Sequence, residues 1–357
     1  MVDTLNAPQI IEHISKPLNY TPFDVKWIPC SAKIVVTGQT PRAKGIIQIY
    51  QMNKGKLEIV SEFQKEYGFK CSTFGASSLS SRDLAVGDFE GNLIIYDLVK
   101  GTPNYEIKKA HKSIIYSIDA VGNNITYGTE EVVTGGKDGS VKIWDLRSDK
   151  PAILLEPKGI EDTSLECWSV AFGGCFNRDE RNLGIGYDNG DIKIYDLRMD
   201  KLLYGENFKY GICSLEFDKK NIPINKMIAT TLDSKIYLFD VKNLEKRNNS
   251  NCDKLIDEIN NTTIWGTKFV PQRRDIFVSL GGNGSLNIYK FHNSDFNCDE
   301  IGSSNKENRK LKLINSHKIS TQPIIGFDWH SIKFGLSCLV AFDRTVKICT
   351  INKLNLI

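Results

Sequence analysis

The chain has 357 residues, of which 41% are hydrophobic and 25% charged, with a formal net charge of +3. So small an imbalance excludes a global field that would draw nucleic acid or a membrane surface, and the apolar content is ordinary for a globular fold. No apolar run reaches the roughly 18 residues of a membrane-spanning helix, and Met1 to Ile10, with Asp3 and Pro8, lacks the basic and apolar regions of a secretory signal.

In chain order, the first strand pattern is Gln9 to Ile14, which at first has no obvious place. Seven short strand patterns then recur: Phe23 to Trp27, Lys70 to Phe74, Tyr116 to Ala120, Trp168 to Phe172, Cys213 to Phe217, Trp265 to Phe269 and Ile325 to Trp329. Each is followed by a second apolar run, from Ile34 to Thr37 in the first unit to Leu336 to Ala341 in the last. A polar turn and a third run of β-formers close each unit at an anchor residue: Tyr50, Tyr96, Trp144, Tyr195, Phe239, Tyr289 and Cys349. These anchors lie about 44 to 60 residues apart, the period of a propeller blade. The pattern predicts an all-β, seven-bladed β-propeller occupying 1–357 as a single domain, since a ring of repeats overrides the two-domain prior from length. The seventh unit ends at Ile357 with three strands, so Gln9 to Ile14 is expected to supply its fourth and close the ring.

Two polar stretches break the period. Lys242 to Asn261 and His292 to Lys310 are expected to be surface loops, with 292–310 a disordered insert, because neither carries enough apolar surface to offset chain entropy. The nine cysteines are scattered from Cys30 to Cys349 without a Cys-x-x-Cys pair, as expected for free thiols in a reducing, cytoplasmic compartment.

Catalytic and metal-binding signals are missing from the sequence. The five histidines (His13, His111, His292, His317 and His330) stand at no metal-ligand spacing, and there is no Gly-x-Ser-x-Gly elbow or phosphate-binding Gly-rich loop. The Gly-Gly-Asn-Gly run at Gly281 lies between two strands and suits a tight turn. A non-enzymatic binding platform without cofactor or metal is therefore expected, with proteins rather than nucleic acid or membrane as partners, acting as a monomer.

The first residue of each inner strand pattern lies near one end of the ring's channel. That column reads Phe23, Lys70, Tyr116, Trp168, Cys213, Trp265 and Ile325, and four of the seven are aromatic. The residues before the turn acids add Lys137, Tyr187 and Phe342 to the same face. Aromatic anchors are typical of protein interfaces, so a rim that captures a peptide or extended segment is expected, with Lys70 and Lys137 favouring acidic neighbours. Inward packing between blades is the alternative use of the same rings.

The segments Lys137-Asp-Gly-Ser-Val-Lys-Ile-Trp-Asp-Leu-Arg147 and Tyr187-Asp-Asn-Gly-Asp-Ile-Lys-Ile-Tyr-Asp-Leu-Arg198 resemble WD repeats. In WD-repeat blades the positions of His111, Thr134, Asp138 and Trp144 form a structural hydrogen-bonded chain, which accounts for a Thr-His-Asp set that could otherwise be read as catalytic. His317 with Asp343 is expected to be a partial copy. More specific segments run through the whole chain: Pro8 to Ile14, Trp27 to Lys33, Cys71 to Ala76, Gly87 to Asn92, Cys167 to Gly173, Cys213 to Asp218, Ser320 to Pro323 and Lys353 to Ile357. Together they resemble the Monad family of WD-repeat proteins, axonemal dynein assembly factors. That resemblance implies a cytoplasmic adaptor working with a prefoldin-like, HSP90-linked co-chaperone complex and AAA+ ATPases, with dynein heavy chains as clients. A second resemblance leads elsewhere. Trp144-Asp-Leu-Arg147 and Tyr195-Asp-Leu-Arg198 are similar to the box by which WD-repeat substrate receptors dock on cullin-type ubiquitin ligases, which implies docking through Arg147 and Arg198.

Overall fold

Each unit is rich in β-branched and aromatic residues and is broken by short Gly- and Asp-containing turns, so it folds as an antiparallel meander rather than a helix. The computed structural model describes residues 7–121, 130–157, 165–175, 180–242, 244, 254–257, 261–292, 296 and 311–357. They form seven four-stranded antiparallel sheets, one per blade: 21–65, 69–107, 115–155, 167–207, 212–257, 264–318, and 324–352 together with 9–17. The chain is an all-β, seven-bladed propeller.

Gln9–Pro17 is the outer strand of blade 7 and pairs antiparallel with Thr345–Asn352, from Gln9 opposite Asn352 to Pro17 opposite Thr345. Glu12 accepts from Lys347 Nζ at 2.9 Å across this seam. The first and last parts of the chain thus share one sheet and leave no open blade.

Elsewhere the fold departs from expectation. Lys242 to Asn261, expected as a loop, contributes the outer strand of blade 5, Lys254–Asp257, paired with Ile236–Asp240. Leu255 is buried in the core between blades 5 and 6, and Leu244 in the core between blades 4 and 5. The strand is only four residues long and flanked by Asn, Asp and Lys, so its two apolar residues were outweighed by their surroundings. Within 292–310, Phe296 is buried under Lys226 Nζ, which lies 4.4 Å from the ring centroid. Apart from His292 and Phe296, that expected insert lies outside the described residues.

The innermost strand of every sheet is an edge, and its N–H groups facing the neighbouring blade have no ladder partner. Side chains from the preceding blade supply acceptors. Asp24 Oδ2 takes the Ser72 N–H at 3.0 Å, Ser117 Oγ takes Val170 N–H at 3.1 Å, and Ser169 Oγ takes Leu215 N–H at 2.8 Å. One step lower, Asp119 takes Phe172 N–H at 2.8 Å, Glu216 takes Phe269 N–H at 3.1 Å, and Asp328 takes Trp27 N–H at 2.8 Å. The two remaining junctions use Cys71 Sγ to the Ile115 carbonyl at 3.5 Å and Trp329 Nε1 to the Lys268 carbonyl at 3.4 Å. Side-chain hydrogen bonds of the inner strands therefore cross all seven blade junctions.

These acceptors line the channel beside Lys26 and Lys268, and Asp328 has the most to lose by ionising there. Burial pushes its carboxyl up to about 6, although Lys26, the Trp27 N–H and Lys268 all favour the charged form. An unfolded aspartate titrates near 3.9, so between about pH 4 and 6 the folded chain keeps a proton the unfolded chain has released. The group's contribution to stability therefore falls as pH rises through that window. Asp328→Asn, whose amide oxygen still accepts the Trp27 N–H, is expected to flatten this part of the profile. Urea unfolding of both proteins from pH 4 to 7 measures it, and parallel profiles would contradict the assignment.

Candidate functional site

In each inner strand one residue forms a β-bulge at the same position, where the register with the second strand slips by one. The bulged residues are Phe23, Lys70, Tyr116, Trp168, Cys213, Trp265 and Ile325. The residues before them (Pro22, Phe69, Ile115, Cys167, Ile212, Ile264 and Ile324) are buried in the blade cores. Counted back from the core residues that follow, such as Val25 and Trp27 or Ile118 and Ala120, strict alternation would point the bulged side chain inward; the extra residue instead turns it out of the core. Trp265 is 42% exposed and the other six are half-buried. A repeated backbone irregularity thus lifts one side chain per blade to the mouth of the channel.

A second ring of residues is fastened to the first. After six of the seven second strands, one backbone N–H reaches the carbonyl two residues before the bulge of its own blade. The pairs are Phe89 to Gly68 (3.0 Å), Lys137 to Ile114 (2.8 Å), Asp188 to Glu166 (3.0 Å), Leu232 to Gly211 (2.8 Å), Gly282 to Thr263 (2.8 Å) and Phe342 to Pro323 (3.0 Å). Together the two rings build three sectors. Around blades 7, 1 and 2, the Phe23 ring meets the edges of Phe89 and Phe342 at centroid distances of 5.2 and 6.2 Å, with Lys70 Nζ 5.4 Å from its own centroid. Around blades 3 and 4, Glu166 accepts from Trp168 Nε1 at 3.0 Å and faces Lys137 Nζ at 3.8 Å. Burial, and then the Glu166 carboxylate hydrogen-bonded to it, push the Tyr116 phenol up to about 12. Around blades 5 and 6, Trp265 and Leu232 are both exposed.

Tyr187 does not belong to this rim. It is 2% exposed and packs in the core between blades 3 and 4. The turn hydrogen bonds explain why: Gly190 N–H bonds to Tyr187 O at 3.2 Å, as Gly139 N–H does to Gly136 O at 3.1 Å. Tyr187 therefore matches Gly136, and Asp188 occupies the place of Lys137. A one-residue slip in a strand reverses the face.

His111 is fully buried between Asp138, with Nδ1 to Oδ1 at 2.9 Å, and Thr134, with Nε2 to Oγ1 at 2.7 Å. Trp144 Nε1 donates to the same hydroxyl at 2.8 Å. Burial holds the His111 imidazole below its ordinary value. Burial would raise the Asp138 carboxyl, but hydrogen bonds from His111, the Lys112 N–H and Ser140 outweigh it and hold the carboxyl well below the usual range. Since Thr134 is also fully buried, the set has no substrate-facing hydroxyl. The partial copy expected at His317 is absent: His317 lies exposed on the outer strand of blade 6, and Asp343 accepts from Ser320 Oγ at 2.7 Å. Ser320 N–H bonds to Gly284 O as His111 N–H does to Gly91 O, so serine stands where the first copy has histidine.

Arg147 and Arg198 follow third strands and so lie at the opposite end of the blades from the rim. Arg147 forks onto Asp145, with Nε to Oδ1 at 2.9 Å and Nη2 to Oδ2 at 2.5 Å, and Arg198 lies 3.9 Å from Asp196. Among the described residues, no group of three or more His, Cys, Asp or Glu side chains is placed to hold a metal ion, and no helix is long and apolar enough to cross a membrane.

No family model matches the chain. Whole-length relatives do. Over 99% of both chains it is 42% identical to dynein axonemal assembly factor 10 of Xenopus tropicalis and of Homo sapiens, and 39% identical to that of Chlamydomonas reinhardtii. The chain belongs to the dynein axonemal assembly factor 10 family.

For this member of the dynein axonemal assembly factor 10 family, sequence reasoning missed four rim residues. Phe89 and Leu232 occupy the Lys137 position of blades 2 and 5, and aligning the turn glycines Gly91, Gly139, Gly190 and Gly284 would have found Phe89. Glu166 joins Tyr116, Lys137 and Trp168, a role visible only in three dimensions. Tyr210, 51% exposed, precedes Gly211, against which the Trp168 indole lies. A Cβ at Gly211 would stand 2.5 Å from Trp168 Cζ3. Gly211→Ala should therefore displace the indole and break its bond to Glu166, at a cost of about 1–3 kcal/mol. The Trp168 indole N–H resonance reports this directly, and an unmoved resonance would contradict the packing.

Proposed function

We propose that this chain is a non-enzymatic adaptor that captures partner proteins on the bulged rim, and that its task is cytoplasmic assembly of axonemal dynein arms. The observation that carries the first part is the rim itself. Seven bulges turn side chains out of seven cores, and aromatic rings form much of what emerges. Keeping Trp265 and Phe342 about 40% exposed forgoes apolar burial, which a binding surface recovers when it is covered. The rim's backbone is fixed by hydrogen bonds, so a partner meets a preformed surface and little ordering is lost on association.

The second part rests on the whole-length relatives, whose name states axonemal dynein assembly. On this reading the partners are a prefoldin-like, HSP90-linked co-chaperone complex with AAA+ ATPases, and dynein heavy chains are the clients. A substrate-receptor role in a cullin-type ligase would use the opposite end, where Arg147 and Arg198 already face carboxylates of their own strands.

Affinity purification of the tagged chain followed by mass spectrometry tests both parts. Recovery of prefoldin-like subunits, AAA+ ATPases and dynein chains is expected, whereas cullin subunits in their place would favour the ligase role. Trp265→Ala combined with Phe342→Ala should reduce that recovery several-fold, because central aromatics carry much of an interface's energy. Both rings are partly exposed, so the melting temperature should fall little. A large drop would assign them to the core instead.

A further inference from the structure

Several buried or half-buried lysines in this fold are held by carboxylates, and Lys16 and Lys142 by the Leu57 and Ala110 carbonyls. Lys26 meets Asp24 at 2.6 Å, Lys226 meets Asp240 at 3.2 Å, Lys268 meets Glu216 at 3.2 Å and Lys347 meets Glu12 at 2.9 Å. Lys70 is different. It is half-buried at the channel mouth, and its ammonium has the face of Phe23 for a neighbour but, among the described residues, no hydrogen-bond acceptor and no carboxylate at ion-pair distance.

The adjacent carboxylate, Asp24, is already saturated. Its Oδ1 accepts from Val25 N–H at 2.9 Å and from Lys26 Nζ at 2.6 Å, while Oδ2 accepts from Ser72 N–H at 3.0 Å and Ser72 Oγ at 2.9 Å. Turning Asp24 toward Lys70 would break the junction between blades 1 and 2. Burial accordingly pulls the Lys70 ammonium below its ordinary pKa, only partly countered by the neighbouring charges. An unpaired ammonium in a partly dehydrated site is costly, and an incoming carboxylate removes that cost while forming a charge-assisted bond. Lys137 has no such demand, since Glu166 already faces it at 3.8 Å.

We propose that Lys70 is the rim's carboxylate-recognising group, so that the protein segment docked there presents an Asp or Glu side chain next to an apolar one seated on Phe23, Phe89 and Phe342. This rests on the rim being the partner face. The acidic residue enters toward the channel, and its apolar neighbour covers the rings of blades 7, 1 and 2.

Panning a phage-displayed random peptide library on the immobilised full chain tests the assignment. Wild type and the remote control Lys150→Gln should enrich peptides with Asp or Glu beside Leu, Ile or Phe. Lys70→Gln should keep the apolar preference and lose the acidic one. A synthetic peptide of the selected sequence should bind Lys70→Gln at least about tenfold more weakly, as expected for a bond between charged groups. Lys70→Met, which keeps an apolar stem beside Phe23, guards against a packing effect and should behave like Lys70→Gln, and melting curves confirm that both remain folded. Equal acidic enrichment on wild type and Lys70→Gln would overturn the role of Lys70. Apolar peptides without acids on wild type would do the same while leaving the rim reading intact. No enrichment on wild type would overturn both.

Discussion

The structure depends on how seven sheet edges are satisfied at once. Each inner strand turns unpaired N–H groups toward the blade before it, and a buried amide without an acceptor loses the free energy of a hydrogen bond. At five of the seven junctions Asp24, Ser117, Ser169, Asp119, Glu216 and Asp328 answer that need from two positions on the preceding strand, one and three residues after the bulge, and Cys71 and Trp329 bond across the other two. Both positions face the channel by alternation, which is why polar residues recur there inside an otherwise apolar element. The blade cores then pack against a ring whose radius is set by these short bonds. Glu12 and Lys347 perform the corresponding service at the outer seam, where two distant parts of the chain meet in one sheet.

The same bulge that sets the lash also makes the rim. Without the extra residue, the positions of Phe23, Tyr116, Trp168 and Trp265 would point into the blade cores, and the acceptors after them would follow in a plain alternation. With it, an acceptor and an outward side chain sit next to each other on the same edge. Where an acceptor closes the junction it is Asp, Ser or Glu, while the bulged residue closes none. That difference in constraint fits a bulge column that varies widely, from Lys70 and Cys213 to Trp265 and Ile325, while the position directly after it stays small: Asp24, Cys71, Ser117, Ser169, Ser214, Gly266 and Gly326.

Much of this was legible in the sequence. Seven inner strands, seven anchors and the spare strand at Gln9 gave the blade count and the closure, because periodicity and strand count are local properties. The bulge column was also visible, as the first residue of each inner strand pattern, though not its cause. What failed were decisions that turn on a single residue. Tyr187 was placed outward because Asp188 resembles a turn acid, whereas the turn glycine Gly190 shows that Asn189 holds that place. His317 was matched to Asp343 by residue type, when Ser320 holds the position in space. Lys254–Asp257 was lost because a four-residue outer strand with two apolar side chains carries too little signal against the Asn and Asp around it.

Composition could not show which rim charges are already satisfied. Lys70 and Lys137 look alike in the sequence, each a lysine near a strand end. The fold separates them through their neighbours: Glu166, just before the inner strand of blade 4, faces Lys137, and Asp24 is withheld from Lys70 by the junction it closes. A charge left over because its nearest counter-ion is committed to holding the ring together cannot be neutralised from within without opening that ring. Its complement has to arrive from outside, which ties the chemistry of a partner to the mechanics of the fold.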